Sequence, residues 1–357
     1  MANCWSWRRI CCCCKERDPK RMEESEEFWD EICAIDPYGF ERPEDFDYQT
    51  YEEFMSHYLA VLARRAGKWS SLLSARTKVE RSRKVKRYCR KGIPAEHRGM
   101  VWMHISGAQK KMEENPGLYE KLLNGPKDQR LIETISTDIH RTFPDNIYFK
   151  DGSDEGKRRP LYNVLVAYGH HNKGVGYCQG LNFITGLLLL VLKDEEMSFF
   201  LLDTLLDKIL PDYYTQDMSG LKTDQEVLGE LVKLKLPHLH AHVEREGVPW
   251  SLPTTKWFIC LYLEVLPLET VLRIWDSLFY EGSKIIFRVA LTLLGLHQDI
   301  ILKATTFPNV VEAFKKIVTH SKNMDCHSFM QNIFKVPGSL PLAQLTKIRQ
   351  TCRAKVV

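Results

Sequence analysis

Apolar side chains recur at intervals of three and four along most of this chain, the period of an amphipathic helix. In "TYEEFMSHYLAVLARRAGKW", Tyr51, Phe54, Tyr58, Val61 and Leu62 share one stripe, and Gly67 is expected to stop the helix. In "KGIPAEHRGMVWMHISGA", Gly92 closes one helix and Pro94 suits the first turn of the next. Val101, Trp102 and Ile105 form the apolar face of that second helix. "DQRLIETISTDIHRTFPDN" carries Leu131, Ile132, Ile135 and Ile139 at helical spacing, and Pro144 pushes Phe143 out of helical backbone. Further helices are expected near 157–169, 179–193, 195–209, 221–235, 255–265, 268–280, 284–303, 308–318, 325–334 and 341–353. No stretch alternates with period two between turn signals, and no fixed-period repeat marks a solenoid. The expected fold class is all-α, mostly one body of many medium helices, helical from Asp36 onward.

Residues 1–35 break the pattern. "RRICCCCKERDPKR" is basic and cysteine-rich, and "MEESEEFWDEI" is acidic. A disordered tail is one expectation. The sharper one is that Cys11, Cys12, Cys13 and Cys14, flanked by Arg8, Arg9, Lys15 and Arg17, are S-acylated. Several acyl chains beside basic residues supply the two signals that stable membrane anchoring requires. With Cys4, these four make five cysteines in the first fourteen residues, and the other six of the eleven are scattered singly, which argues for reduced thiols rather than a disulfide framework. The longest apolar run, Phe183 to Leu192, is about half of the ~20 residues that a membrane-spanning helix needs. No signal-peptide core follows the start, so an intracellular, cytoplasmic protein is expected. A net charge of +4 is slight for 357 residues, and no nucleic-acid partner is expected. Nine Lys or Arg between Arg76 and Lys91 read as a solvated helix face.

Several chemistries are excluded. The chain has no G-x-x-x-x-G-K-[ST], so it does not itself cradle a nucleotide in a P-loop. "GVGYCQG" spaces its glycines wrongly for a dinucleotide fingerprint and follows no strand. His238 and His242 stand one turn apart without a third ligand, and read as surface histidines. Cys178 has no implied histidine partner and reads as a packing cysteine. Two polar features remain. Ile135, Asp138 and Arg141 are spaced i, i+3, i+6, so the aspartate can hold the guanidinium one turn on, although such pairs are common on helix surfaces. Gln179, hard against Gly180 at the start of an apolar helix, either presents its amide outward or caps that helix.

With their surroundings these segments resemble a family, the TBC domain of Rab GTPase-activating proteins. The resemblance is carried by "RKGIPAEHRGMVW", "ISTDIHRTFPDN", "LYNVLVAYGHHNKGVGYCQGLNF", "TDQEVL" and "KWFICLYLEVLPLETVLRIWDSLFYEG", five blocks in order, and it extends over most of residues 35–353. It implies two packed helical subdomains, with a tail at 1–35, a helical lead-in at 36–90, a domain core at 91–282 and completing helices at 283–357. The family's I-x-x-D-x-x-R motif falls on Ile135, Asp138 and Arg141, and its Y-x-Q motif on Tyr177, Cys178 and Gln179. Arg141 and Gln179 are thereby implied as catalytic fingers inserted in trans into a GTPase. Asp138, Tyr177, Asn182 and Trp257 are implied as partner-binding or supporting residues, and Arg98 with Trp102 and Trp275 with Asp276 as scaffold. The implied partner is a GTP-bound Rab-family small GTPase, acting in vesicle trafficking; the cysteine-rich start lies outside the resemblance, and peripheral placement on endomembranes is expected from an acylated tail alone. GTP and Mg²⁺ would belong to that partner, and the chain would carry no cofactor or metal of its own. The alternative is a GTPase- or membrane-binding adaptor with weak catalysis.

Overall fold

The structure, a computed structural model, describes residues 34–74, 78–150, 156–320 and 325–356. Among them the chain forms α1 (Tyr48–Leu73), α2 (Arg83–Lys91), α3 (Ala95–Ser106), α4 (Ala108–Glu114), α5 (Leu118–Asn124) and α6 (Gln129–Ile139). It continues through α7 (Arg158–His171), α8 (Leu181–Leu192), α9 (Glu195–Thr204), α10 (Ser219–Lys235), α11 (Pro237–Arg245) and α12 (Ser251–Ile259). The last five helices are α13 (Leu268–Glu281), α14 (Lys284–Leu302), α15 (Phe307–Val318), α16 (Cys326–Lys335) and α17 (Leu342–Val356). The described residues contain no strand, only two single antiparallel bridge pairs, Ile35 with Glu41 and Phe40 with Asn146. The all-α expectation holds.

Two packed helical halves make up the body. In the first, α8 lies between α3, α7 and α9, and eleven of its twelve residues are buried, so its largely apolar sequence is that of a central core helix. In the second, α10 packs against α17, α12 and α11, while α14 packs against α13 and α15. The 19-residue α14 is long and apolar enough to cross a membrane, but 67% of its apolar window is buried in protein, as a core helix would be.

Helix α13 joins the halves. Its Asp276 is buried, and Oδ1 accepts from Arg98 Nε at 3.1 Å and Trp102 Nε1 at 2.8 Å. Its Oδ2 accepts the backbone N–H of Ile93 at 2.8 Å. A buried carboxylate without such donors would be strongly destabilising, so these three bonds fix α3 against α13. One residue-pair away, Glu281 holds Arg90 (Nε at 2.5 Å), Lys284 (2.9 Å) and Lys86 (3.3 Å). Arg81 donates to the carbonyls of Ile105 and Tyr280. The basic run up to Lys91 is therefore no simple solvated face: Arg81, Lys86 and Arg90 clamp α2 to α13.

Several expectations are corrected. Helix α1 runs straight through Gly67, where a Cβ would meet nothing within 4 Å, because Trp69 and Leu72 beyond it are buried in the core. Residues 36–47 are not helical. The Asp36 carboxylate accepts from the N–H of Tyr38 (2.8 Å) and Phe40 (2.9 Å), which makes a turn, and Asn146 holds Tyr38 through its carbonyl at 3.0 Å. The helix expected at 255–265 is α12, which starts earlier and ends at Ile259. Beyond it Leu261, Tyr262 and Glu264 take positive φ, held in place by Tyr262 Oη on the Ile286 carbonyl (2.7 Å) and Trp275 Nε1 on the Leu261 carbonyl (3.1 Å). His242 is buried rather than superficial, bound to the Ala304 carbonyl (2.8 Å) and Arg245 (2.7 Å).

Candidate functional site

Helix α6 begins at Asp128, whose carboxylate caps the N–H groups of Arg130 and Leu131, and buries Ile135 and Ile139. It ends at Ile139, so Arg141 stands two residues past the helix rather than within its last turn. The Thr142 hydroxyl donates to the Asp138 carbonyl (2.7 Å), and Phe143 then adopts φ +50°, which turns the chain back into the core. There the Phe143 ring meets Phe40, Phe149 and Phe183. Gly186 makes room for it: a Cβ on Gly186 would lie 2.8 Å from the ring. The finger turn is thus buttressed by aromatic packing on one side and left open on the other.

Asp138 divides its two oxygens. Oδ1 accepts from Arg141 Nε at 2.7 Å, and Oδ2 from the Tyr177 hydroxyl at 2.5 Å. The Arg141 side chain is 45% exposed and that of Asp138 only 10%, so the carboxylate is the anchor and the guanidinium is the group on offer. With its amide oxygen turned to the guanidinium, Gln179 accepts from Nη1 at 3.2 Å and Nη2 at 2.9 Å. The orientation follows from the hydrogen-bond network, since the opposite one would set donor against donor. Arg141 and Gln179, 38 residues apart in the sequence, therefore touch at the surface.

A buried relay locks the two segments together. Asn182 Oδ1 accepts from the Gly180 N–H (3.1 Å), and its Nδ2 donates to the Thr142 hydroxyl (2.8 Å). Gln179 does not cap α8; the N-cap is Gly180, at φ +106°. A Cβ there would sit 3.4 Å from Ile259, whose carbonyl accepts from Tyr214 Oη at 2.6 Å. The end of α12 thereby supports the glutamine turn from behind. Trp257 is buried among Phe314 and Tyr262 and touches none of the polar cluster, so its place is in the core under that support. At the rim, Lys256 and Glu264 pair at 3.3 Å.

The electrostatics suit presentation of a cation. The hydrogen bond that Arg141 donates to Asp138 raises the Arg141 pKa further, so the side chain is charged at any relevant pH. Burial, and then the bond to Asp138, push the Tyr177 hydroxyl far above its usual range, so it is a fixed neutral donor. Burial followed by the Asp138 charge raises the Cys178 thiol, which makes it a poor nucleophile, in keeping with its exclusion. Tyr177 and Cys178 are thereby held in their neutral, protonated forms. The arrangement offers a forked cation and a neutral amide to something outside the chain.

Thr142, Gly186 and Tyr214 were not singled out from sequence, and Phe143 was read only as the residue that leaves helical backbone before Pro144. Thr142 was legible in principle, since a threonine four residues after Asp138 can bond back to its carbonyl. The others act through tertiary packing that no local pattern encodes. Cys11 to Cys14, and with them the tail expectations, lie outside the described residues.

Residues 95–302 match a family model described as the Rab-GTPase-TBC domain. Growth hormone-regulated TBC protein 1 of Homo sapiens is 60% identical over 326 residues, covering 91% of this chain and 97% of that protein. The GTPase-activating protein MSB4 of Saccharomyces cerevisiae is 33% identical over 332 residues, covering 80% and 67%. Among solved structures, the Chlamydomonas flagellar RabGAP TBC domain superposes with a TM-score of 0.72 at 32% identity, covering 84% of this chain and 99% of that one.

Proposed function

Because the chain belongs to the Rab-GTPase-TBC domain family, we propose that it accelerates GTP hydrolysis by a GTP-bound Rab-type small GTPase, using Arg141 and Gln179 as fingers in trans. The observation that carries this reading is the exposed Arg141 guanidinium, fixed by a largely buried Asp138 and lying against the Gln179 amide. In phosphoryl transfer the γ-phosphoryl passes through a loose transition state, and negative charge is spread over its oxygens. A guanidinium delivered into a site from which water is excluded stabilises that charge, and its fork matches two oxygens at once. The Gln179 amide can accept from the attacking water and donate to a phosphate oxygen, which fixes the in-line geometry. GTP and Mg²⁺ are the partner's. This chain supplies position and charge.

The test is single-turnover GTP hydrolysis across a panel of Rab-type GTPases. Arg141→Ala should lose about 10³-fold or more of the stimulation, the scale of an arginine finger. Arg141→Lys should recover little of it, because a lysine is a point charge without the fork. If both variants stimulate as wild type does, the assignment of Arg141 is wrong. Equal GTPase binding without stimulation by wild type would instead favour the adaptor reading.

A further inference from the structure

Away from the fingers, α1, α2, α13 and α16 enclose a cleft of about 590 Å³, within the size range of small-ligand sites. Six cations line it: Arg64, Arg65, Lys68, Lys91, Arg273 and Lys335. A seventh, Arg90, is already held by Glu281. Among the described residues that line the cleft there is no carboxylate. Glu269 stands behind the Tyr58 hydroxyl, 3.3 Å from its carboxylate, and its charge partly offsets that of Arg65.

Two of these cations lie deep in protein. Arg65 is 6% exposed and Arg273 1% exposed. Each spends one nitrogen on the same acceptor, the Tyr58 hydroxyl, with Arg65 Nη1 at 3.1 Å and Arg273 Nη1 at 3.0 Å. Arg65 Nη2 and Arg273 Nε are buried with no hydrogen-bond partner, and so is His327 Nδ1 at the same cleft. Buried guanidinium N–H groups are among the costliest donors to leave unmatched. Burial and then the neighbouring Arg273 charge both act to lower the Arg65 pKa, and burial with the same two arginines lowers that of His327. Two like charges share one phenol oxygen, and each keeps a buried donor unmatched, an arrangement that an anion would complete. Gly92 keeps the floor open: a Cβ at its φ of +100° would lie 2.5 Å from Arg273 Nε and 2.8 Å from Arg65 Nη1.

We propose that this cleft binds a compact anion carrying two or more phosphate groups. Arg65 and Arg273 would contact one phosphate at the base, and Arg64, Lys68, Lys91 and Lys335 at the mouth would take the others. Several phosphates match the number of cations better than a lone carboxylate does, and arginine forks suit phosphate oxygens. The anion could be a soluble inositol polyphosphate or the headgroup of a phosphorylated inositol lipid, two sources of the same chemistry.

Calorimetry of the full chain with inositol trisphosphate, and flotation with vesicles holding a few per cent of a bisphosphorylated phosphatidylinositol in phosphatidylcholine, test both sources. Phosphatidylserine vesicles of equal charge and inorganic phosphate are the controls. Wild type should bind the trisphosphate, the phosphorylated-lipid vesicles or both more tightly than either control. Arg65→Gln should weaken binding about tenfold or more. Because Arg65 is buried, the exposed double variant Arg64→Ala/Lys68→Ala is the second arm, expected to lose several-fold affinity with an unchanged melting temperature. Binding to the soluble anion alone assigns a free metabolite, and binding to vesicles alone assigns the lipid. The proposal is overturned if wild type prefers neither probe over the controls, or if binding is indifferent to both variants.

Discussion

A single carboxylate sets the chemistry at the residue scale. Asp138 gives one oxygen to Arg141 and the other to Tyr177, and so it orients the finger from the protein side while leaving both Nη groups outward. In the free chain those Nη groups rest on the Gln179 amide. Under the proposed function, catalysis would improve only through contacts stronger in the transition state than in the resting state, and a neutral amide would release the guanidinium to phosphate more readily than a charged partner. Gln179→Glu would replace it with a charge-assisted, forked partner of roughly twice the strength, and one that cannot donate to phosphate. It is expected to lose about tenfold more stimulated hydrolysis than Gln179→Ala in the same single-turnover assay. Equal losses in the two variants would show that the resting contact has no bearing on turnover.

At the scale of elements, the helices that read cleanly from sequence are those with a strong apolar face, α7, α8, α13 and α14. The polar motifs were legible too, since Asp138, Arg141, Tyr177 and Gln179 meet as their motifs implied. What was missed has physical causes. The seven-residue α4 and α5 are too short to display a period. Around α12 the apolar run "WFICLYL" continues past Ile259, yet Leu261 and Tyr262 turn left-handed because tertiary bonds hold them. Apolarity records burial and is silent on handedness. Gly186 shows how tightly α8 and the finger turn are matched. A methyl there would press on Phe143, two residues after Arg141, 2.8 Å from the ring. Gly186→Ala should destabilise by about 1–3 kcal/mol through overpacking, more than the helix propensity it gains. Denaturant unfolding would measure that loss, and stimulated hydrolysis should fall with it. A more stable, fully active variant would contradict the packing account.

At the scale of the whole molecule, α13 is where the two halves and the lead-in helices meet, and its charges give the fold an acid sensitivity. Burial opposes ionisation of Glu281, but Arg90 and Lys284 outweigh it and bring the carboxyl from 4.5 down to about 2. A carboxyl depressed on folding adds stability that is fully present above the unfolded value. That stability is lost as pH falls from about 4.5 towards about 2. Glu281→Gln should therefore be less stable than wild type at pH 7, with the gap closing between pH 5 and 3 in urea titrations. A gap that stays constant through that range would place the destabilisation elsewhere. The same helix also sets a schedule for synthesis. Asp276 follows Arg98 by 178 residues and Trp102 by 174. At roughly 5–20 residues per second, about nine to thirty-six seconds of translation separate those partners. For that interval a guanidinium and an indole meant for burial stand without the carboxylate that satisfies them. Until α13 leaves the ribosome, the nascent first half, core helix included, lacks the carboxylate that completes its packing.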